Sequence, residues 1–338
     1  ANLNATTQWK LGRTSMGVEF RNEGVKSNVL GKPMKEPQDV PFEKEGQYLK
    51  SDNRSNISYF LEHNVLLRRF TLSVGVLANY NSALNEGIHF YPGIDASYRI
   101  GDNVRLYGSW NRALRMPTFT DLYYEGKTNK GNPDLKPEES EAFEVGLKYN
   151  TYFLRAHIAG FYRKGKNMID WVKEKPEDIW ESQNLTKVDN LGFETNLSLL
   201  PRELGNERFF IRKIELGYAF IHQDKDSEGY ISNYALDYLK HKFTAQLSHS
   251  IWKGFSATWY VRWQDRAGSY TKYENLKPAY EEPYAPYCLV DMKVNWEYQR
   301  LNLYAELNNL LNSTYYDLGN IPQPGIWFKA GFRYSFKY

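Results

Sequence analysis

The sequence predicts an all-β fold, an antiparallel transmembrane β-barrel, and three observations carry that expectation. The first is the last stretch of the chain. Ile326, Phe328, Ala330, Phe332, Tyr334, Phe336 and Tyr338 share one parity, while Trp327, Lys329, Gly331, Arg333, Ser335 and Lys337 share the other. A strand sends successive side chains to opposite faces, so this segment has one wholly apolar face and one mostly polar face. The second is composition: aromatic residues make up 16% of the chain, with 27 Tyr and 9 Trp. Such rings are favoured where one end is apolar and the other wet, as at a bilayer interface. The third is a regular alternation of short and long connections, as in a barrel with tight periplasmic turns and long extracellular loops. A soluble sandwich with Greek-key connections gives no reason for that regularity.

The elements follow in order, about fifteen strands in all. Asn2–Lys10 and Arg13–Glu23 are joined by a Leu11-Gly12 turn. A polar segment with Gly31, Pro33, Pro37 and Pro41 then runs as a loop to about Asp52. Ser55–His63 and Arg68–Tyr80 come next, followed by the Asn81–Gly87 loop. His89–Ile100 sets Phe90, Ile94, Ala96, Tyr98 and Ile100 against Tyr91, Asp95, Ser97 and Arg99. Pro92 falls early in it, where a missing ladder donor is best tolerated. A Gly101-Asp102-Asn103 turn leads to Val104–Asn111. After a long segment come Glu141–Tyr149 and Phe153–Arg163. Met168–Glu181 is expected to be a Trp-containing loop. Asn184–Leu200, Phe209–His222, Tyr234–Ser250 and Phe255–Gln264 continue the pattern, and Ala267–Pro283 is expected to be a Tyr-rich loop. Tyr287–Tyr298 and Leu301–Asn309 precede the Asn312–Gly325 loop and the closing strand.

Several function classes find no support. Net charge is +3, with both signs interleaved, so no basic patch points to nucleic acid. Charged residues are 25% of the chain and mean hydropathy is −0.66, yet a barrel shows lipid only every second strand residue. No apolar run is long enough for a transmembrane helix. Cys288 stands alone and can form no intrachain disulfide. His63, His89, His157, His222, His241 and His249 lack zinc-site spacing, so neither a metal nor a cofactor is expected. No nucleophile elbow, phosphate loop or dinucleotide fingerprint appears, and no enzymatic activity is expected.

An odd strand count does not suit a closed single-chain barrel, and an open edge leaves backbone groups unpaired in lipid. With no initiator Met or leader at Ala1, residues 1–338 are expected to be the C-terminal part of a larger barrel whose first strands come earlier.

Two stretches bring a family into view. The first runs Ser109-Trp110-Asn111-Arg112-Ala113-Leu114-Arg115-Met116-Pro117, Asp121-Leu122-Tyr123-Tyr124, Gly131-Asn132-Pro133-Asp134-Leu135-Lys136-Pro137-Glu138 and Glu144-Val145-Gly146. It resembles the strand–loop–strand segment of TonB-dependent outer-membrane receptors. The second, Leu307-Asn308-Asn309-Leu310-Leu311-Asn312 with Tyr315-Tyr316 and a closing aromatic strand, is similar to that family's C-terminal end. The resemblance implies a barrel of about 22 strands, with a plug domain and TonB box that are not visible in this chain. It implies capture of a scarce nutrient, a ferric siderophore, haem or cobalamin, in the outer membrane of a Gram-negative bacterium. Energy would come through the TonB complex. The Asp317–Gly325 loop looks most like cobalamin receptors. Terminal aromatics Phe332, Tyr334, Phe336 and Tyr338 would be read by the barrel-assembly machinery. A passive porin-like channel, and a surface barrel docking a partner lipoprotein, remain as alternatives.

Ligand-contact candidates are the loop aromatics Tyr123, Tyr124, Trp171, Trp180, Tyr270, Tyr273, Tyr315 and Tyr316, with Tyr230 and Tyr234 beside them. The competing role for the other loop aromatics is the interface girdle. Arg115, Pro117, Leu122, Gly131, Asn132, Pro133, Leu135, Pro137 and Glu138 are expected to act mainly structurally, because proline fixes its own φ and extends the residue before it. Arg99, Arg105, Lys148, Arg155, Arg333 and Lys337 are expected to form a solvated inner wall with charges paired across strands; contact with a plug, or steering of an anionic ligand, is the alternative.

Overall fold

A computed structural model describes residues 1–84, 87–175, 177–205, 208–226, 229–232, 238–275 and 277–336. Fifteen long strands lie side by side in chain order: β1 (Asn2–Trp9), β2 (Gly12–Ser27), β3 (Gln47–Leu66), β4 (Phe70–Asn81), β5 (Ile88–Ile100), β6 (Val104–Arg115), β7 (Glu138–Asn150), β8 (Leu154–Lys173), β9 (Trp180–Leu199), β10 (Ile211–Asp226), β11 (Tyr238–Trp252), β12 (Phe255–Ala267), β13 (Tyr287–Tyr298), β14 (Leu301–Asn308) and β15 (Trp327–Tyr334). Each pairs antiparallel with the next, and together with short flanking strands they make one 18-stranded sheet. Among the described residues β1 and β15 do not pair with each other.

The register sorts the two faces. Directly opposed residues of an antiparallel pair share a face. One row runs Leu3, Val18, Tyr59, Ala78, Phe90 across β1 to β5. Another runs Ala96, Gly108, Val145, Gly160, Phe193, Phe220 across β5 to β10. These rows look outward: Val145 is 63% exposed and Phe332 of β15 is 73% exposed. The opposite parity carries Ser97, Tyr107, His157, Asn196, Thr244, Arg262, Lys293 and Glu306. An apolar belt this wide does not face water. Phe328, Phe332 and Phe336 are all exposed rather than enclosed in a core, as an inside-out barrel requires.

The short connections fall where the alternation places them. Gly254, at φ +84°, turns between β11 and β12, and a Cβ there would sit 2.4 Å from the Glu297 carbonyl oxygen, so only glycine fits. The β9–β10 connection is longer and carries a 3₁₀ turn, Pro201–Leu204.

The long connections depart from expectation. The Gly24–Asp52 segment is not a plain loop: β2 runs to Ser27, a strand spans Lys32–Asp39, and β3 begins at Gln47. Met168–Glu181 is mostly strand, with Trp171 near the end of β8 and Trp180 opening β9. Ala267–Pro283 is largely a hairpin of Ser269–Glu274 on Lys277–Pro283, and a smaller hairpin pairs Tyr316–Leu318 with Ile321–Pro322. Beyond the apolar belt no lipid imposes one greasy face on a strand, so hydrophobic alternation stops while backbone pairing continues. A helix, α1 (Phe119–Tyr123), also forms where no helical period is visible; Thr118 and Asp121 close a capping box around its start. The closing strand ends at Tyr334, short of the expected Tyr338.

Candidate ligand-binding loops and inner wall

The loop between β6 and β7 is anchored at both ends. Arg115 grips Glu138 by two hydrogen bonds, Nε to Oε2 at 2.6 Å and Nη2 to Oε1 at 2.5 Å, and Glu138 Oε1 also accepts the Ile169 amide at 2.8 Å. Pro117 is fully buried, and its carbonyl accepts from Arg54 Nη1 at 2.6 Å. Arg54 in turn donates from Nε to Glu23 and stacks its guanidinium 4.9 Å from the Phe119 ring centre. Leu122 donates its amide to the Thr118 carbonyl, Gly131 donates to the Tyr124 carbonyl and Asn132 to the Asp121 carbonyl. The Asn132 side chain takes the Asp134 amide around Pro133, Leu135 is buried, and Lys136, just before Pro137, exchanges hydrogen bonds with the Asn184 side chain. Three strands therefore hold one loop.

The aromatic candidates separate into two groups and one outlier. Tyr123 is engaged within the protein: its hydroxyl donates to Asp52 at 2.5 Å and its ring stacks on Phe119. Burial first, and then the Asp52 carboxylate, raise its phenol well above the usual range. Tyr124, 37% exposed, meets Trp171 edge-on with ring centres 6.5 Å apart. Trp180 carries Lys173 Nζ 4.5 Å above its ring, and its strand pairs with Asn129–Lys130 of the anchored loop.

The second group gathers five tyrosines from separate segments. Tyr270 sits 5.1 Å from Tyr284 and 5.9 Å from Tyr316, and Tyr287 sits 4.6 Å from Tyr315, measured between ring centres. Gly319 packs flat on Tyr270, where a Cβ would lie 2.3 Å from the tyrosine's own Cβ. Lys272 bridges to Glu282 at 2.7 Å and lies over both Tyr270 and Tyr316. The Tyr287 hydroxyl lies between the Gln264 and Asp317 side-chain oxygens. Tyr284 and Tyr287 were not singled out by sequence; both stand where a strand ends, so no alternation marks them. Tyr273 is the outlier, 54% exposed and with no ring partner among the described residues. Tyr230 lies outside both groups, and Tyr234 and Tyr338 lie outside the described residues. Phe332 and Phe336 are exposed on the outer face, and Tyr334 touches Phe336 edge-on.

The inner wall is only partly as expected. Lys293 and Lys329 flank Glu306 at 2.7 and 2.5 Å, a pairing across strands. Arg99, Arg105, Lys148, Arg155 and Arg333 make no ion pair among the described residues, and Lys337 lies outside them. Beside them Tyr107 donates to Glu144 and meets His157, with Lys148 over its ring.

A family model described as TonB dependent receptor-like, beta-barrel matches residues 1–310. The chain is 25% identical over 191 residues to the Vitamin B12 transporter BtuB of Vibrio vulnificus, covering 52% of this chain and 30% of that protein. It is 22% identical over 297 residues to the Ferrienterobactin receptor of Escherichia coli, covering 79% of this chain and 38% of that protein. The ferric enterobactin receptor of Pseudomonas aeruginosa superposes with a TM-score of 0.74 at 18% identity, over 99% of this chain and 53% of that one. The chain thus spans about half the length of that receptor and about a third of the two other relatives.

Proposed function

The chain belongs to the TonB-dependent receptor-like β-barrel family, and on that premise we propose that it supplies the wall and outer loops of a receptor importing a scarce nutrient chelate. It is an outer-membrane protein of Gram-negative type. In this reading residues 1–338 are the C-terminal part of the barrel, preceded by the remaining strands and a plug through which the TonB complex delivers energy. The cargo is cobalamin or a ferric siderophore or haem, already chelated, so the chain need contribute no metal ligand. Phe332, Tyr334, Phe336 and Tyr338 serve assembly, and a surface lipoprotein is a further partner in this scheme.

One observation carries the proposal. The tyrosines Tyr270, Tyr284, Tyr287, Tyr315 and Tyr316 converge on the long-loop side of the sheet and present rigid amphipathic rings beside charged Lys272, Glu282 and Asp317. Rings held by neighbouring rings lose little entropy on meeting a large chelate, which is how aromatic anchors gain affinity. Titration of the full-length protein in detergent with cyanocobalamin, a ferric catecholate and haem, read by tryptophan quenching, tests it. Saturable binding of one ligand at micromolar concentration or below is expected. Absence of binding to all three, together with unimpaired growth of a deletion strain on each as sole source, would overturn it.

A further inference from the structure

Charged residues on the lipid-facing parity of β6 to β8 gather at one end. The register sets three rows across these strands: Trp110, Phe143 and Tyr162; then Arg112, Glu141 and Lys164; then Leu114, Glu139 and Lys166. The first row closes the apolar belt, with the Trp110 and Phe143 ring centres 6.4 Å apart. Two residues along a strand tilted by about 40° rise about 5 Å. The headgroup layer is about 5–8 Å deep on each side of the hydrocarbon, so the second row lies inside it and the third at its outer edge. At the opposite end of the same strands that parity carries Val104, Tyr149 and Leu154, with no charge. The cluster therefore belongs to the leaflet on the long-loop side. On β2 and β3 the level above the belt is neutral: Asn22 stands opposite Ser55 and donates to its hydroxyl at 3.0 Å.

Within the cluster the charges are not paired off. Arg112 reaches Glu139 at 3.5 Å and Glu141 at 3.4 Å, both longer than a close guanidinium–carboxylate hydrogen bond, and all three side chains stay partly exposed. Asp189, opposite Lys164 on β9, is buried and accepts the Tyr162 hydroxyl at 2.8 Å. Lys164 and Lys166 are exposed, and neither has a carboxylate within ion-pair distance among the described residues. Arg112, Glu139, Glu141, Lys164 and Lys166 border one shallow cleft.

We propose that this cleft binds a phosphate of an outer-leaflet lipid whose acyl chains lie on the belt below it. The two lysines supply the unpaired charge, and the loosely held Arg112 has guanidinium N–H groups free to turn onto phosphate oxygens. A lipid brings its phosphate to this depth because its chains and the belt share one face. A dissolved anion has the charge contacts alone, without the apolar burial that adds to them. Glu139 and Glu141 compete with the phosphate for Arg112, and so limit how tightly it is held.

Native mass spectrometry of the delipidated full-length protein in a neutral detergent tests the assignment. The probes are lipid A bearing two phosphates, dephosphorylated lipid A, and inorganic phosphate. The phosphorylated lipid is expected to bind about tenfold more tightly than the dephosphorylated one, as for two basic side chains near a charged leaflet surface. K164Q/K166Q should weaken it severalfold, while K32Q/K35Q, which removes the same charge from the Lys32–Asp39 strand, should not. E139Q/E141Q should tighten it severalfold, a gain that misfolding cannot mimic. The proposal is overturned if the lipid's phosphates make no difference, or if K32Q/K35Q weakens binding as much as K164Q/K166Q does. It is overturned equally if E139Q/E141Q weakens binding, or if inorganic phosphate alone fills the site and displaces the lipid at constant ionic strength.

Discussion

Arg115 and Glu138 stand 23 residues apart and close the loop between them with a two-point guanidinium–carboxylate contact. The two ends differ in burial: the Arg115 side chain is 49% exposed and the Glu138 side chain 10%. Glu138 also holds the Ile169 amide, so its loss frees three N–H donors on two residues at once. Glu138→Ala is therefore expected to loosen the loop by about 1.5–3 kcal/mol, the range for hydrogen bonds to a charged group. Cleavage within 118–136 by a protease under native conditions should rise roughly ten- to a hundredfold. Arg115→Ala should loosen the loop as well, since it leaves the nearly buried Glu138 carboxylate with the Ile169 amide but no counter-charge.

Val145 lies mid-belt on the outer face of β7. Val145→Arg is expected to cost about 2–4 kcal/mol of barrel stability, as a cation at the bilayer midplane does. Thr244→Arg, on the inner face, should cost far less. The folded fraction on semi-native electrophoresis distinguishes them, and equal loss in both would contradict the assignment of faces.

Tyr270 and Tyr273 lie on one hairpin strand but differ in surroundings, one packed among rings and one open to solvent. Tyr270→Ala is expected to weaken ligand binding by roughly tenfold or more, as for a central aromatic anchor. Tyr273→Ala should change it by less than about twofold. Titration of both variants with whichever chelate binds the parent protein provides the check.

The same hairpin has a defined pH window. Lys272 holds the Glu282 carboxyl below its ordinary 4.5, and Glu282 holds the Lys272 ammonium above its ordinary 10.5. A depressed carboxyl adds stability above its unfolded pKa and loses it as pH falls through the folded one. A raised ammonium adds stability below its unfolded pKa and loses it as pH rises through the folded one. The tyrosine near-UV signal is thus expected to be flat between about pH 5 and 10 and to fall on either side. In Lys272→Met the acid limb should shift toward the ordinary carboxyl pKa.

Legibility stopped where lipid stopped. Inside the belt, Phe328, Phe332, Val145 and Leu147 announce their strands because each alternates with a polar partner. Trp171, Trp180, Tyr270 and the Lys32–Asp39 strand lie beyond the apolar belt, where no lipid imposes one greasy face, so pairing continues without a period. Helix α1 left a readable trace in Thr118 and Asp121, but five residues are too few for a stripe.

The sequence by itself determined that this chain is a transmembrane sheet, which face meets lipid and which end carries the long loops, because side-chain parity and connection length are local properties. Only the tertiary structure decided that Tyr270, Tyr284 and Tyr316 share one cluster, that Tyr123 is spent on Asp52, and that Arg112, Lys164 and Lys166 border one cleft. Those relationships depend on register between strands tens of residues apart, and register is set by the whole ladder of backbone hydrogen bonds rather than by any single strand.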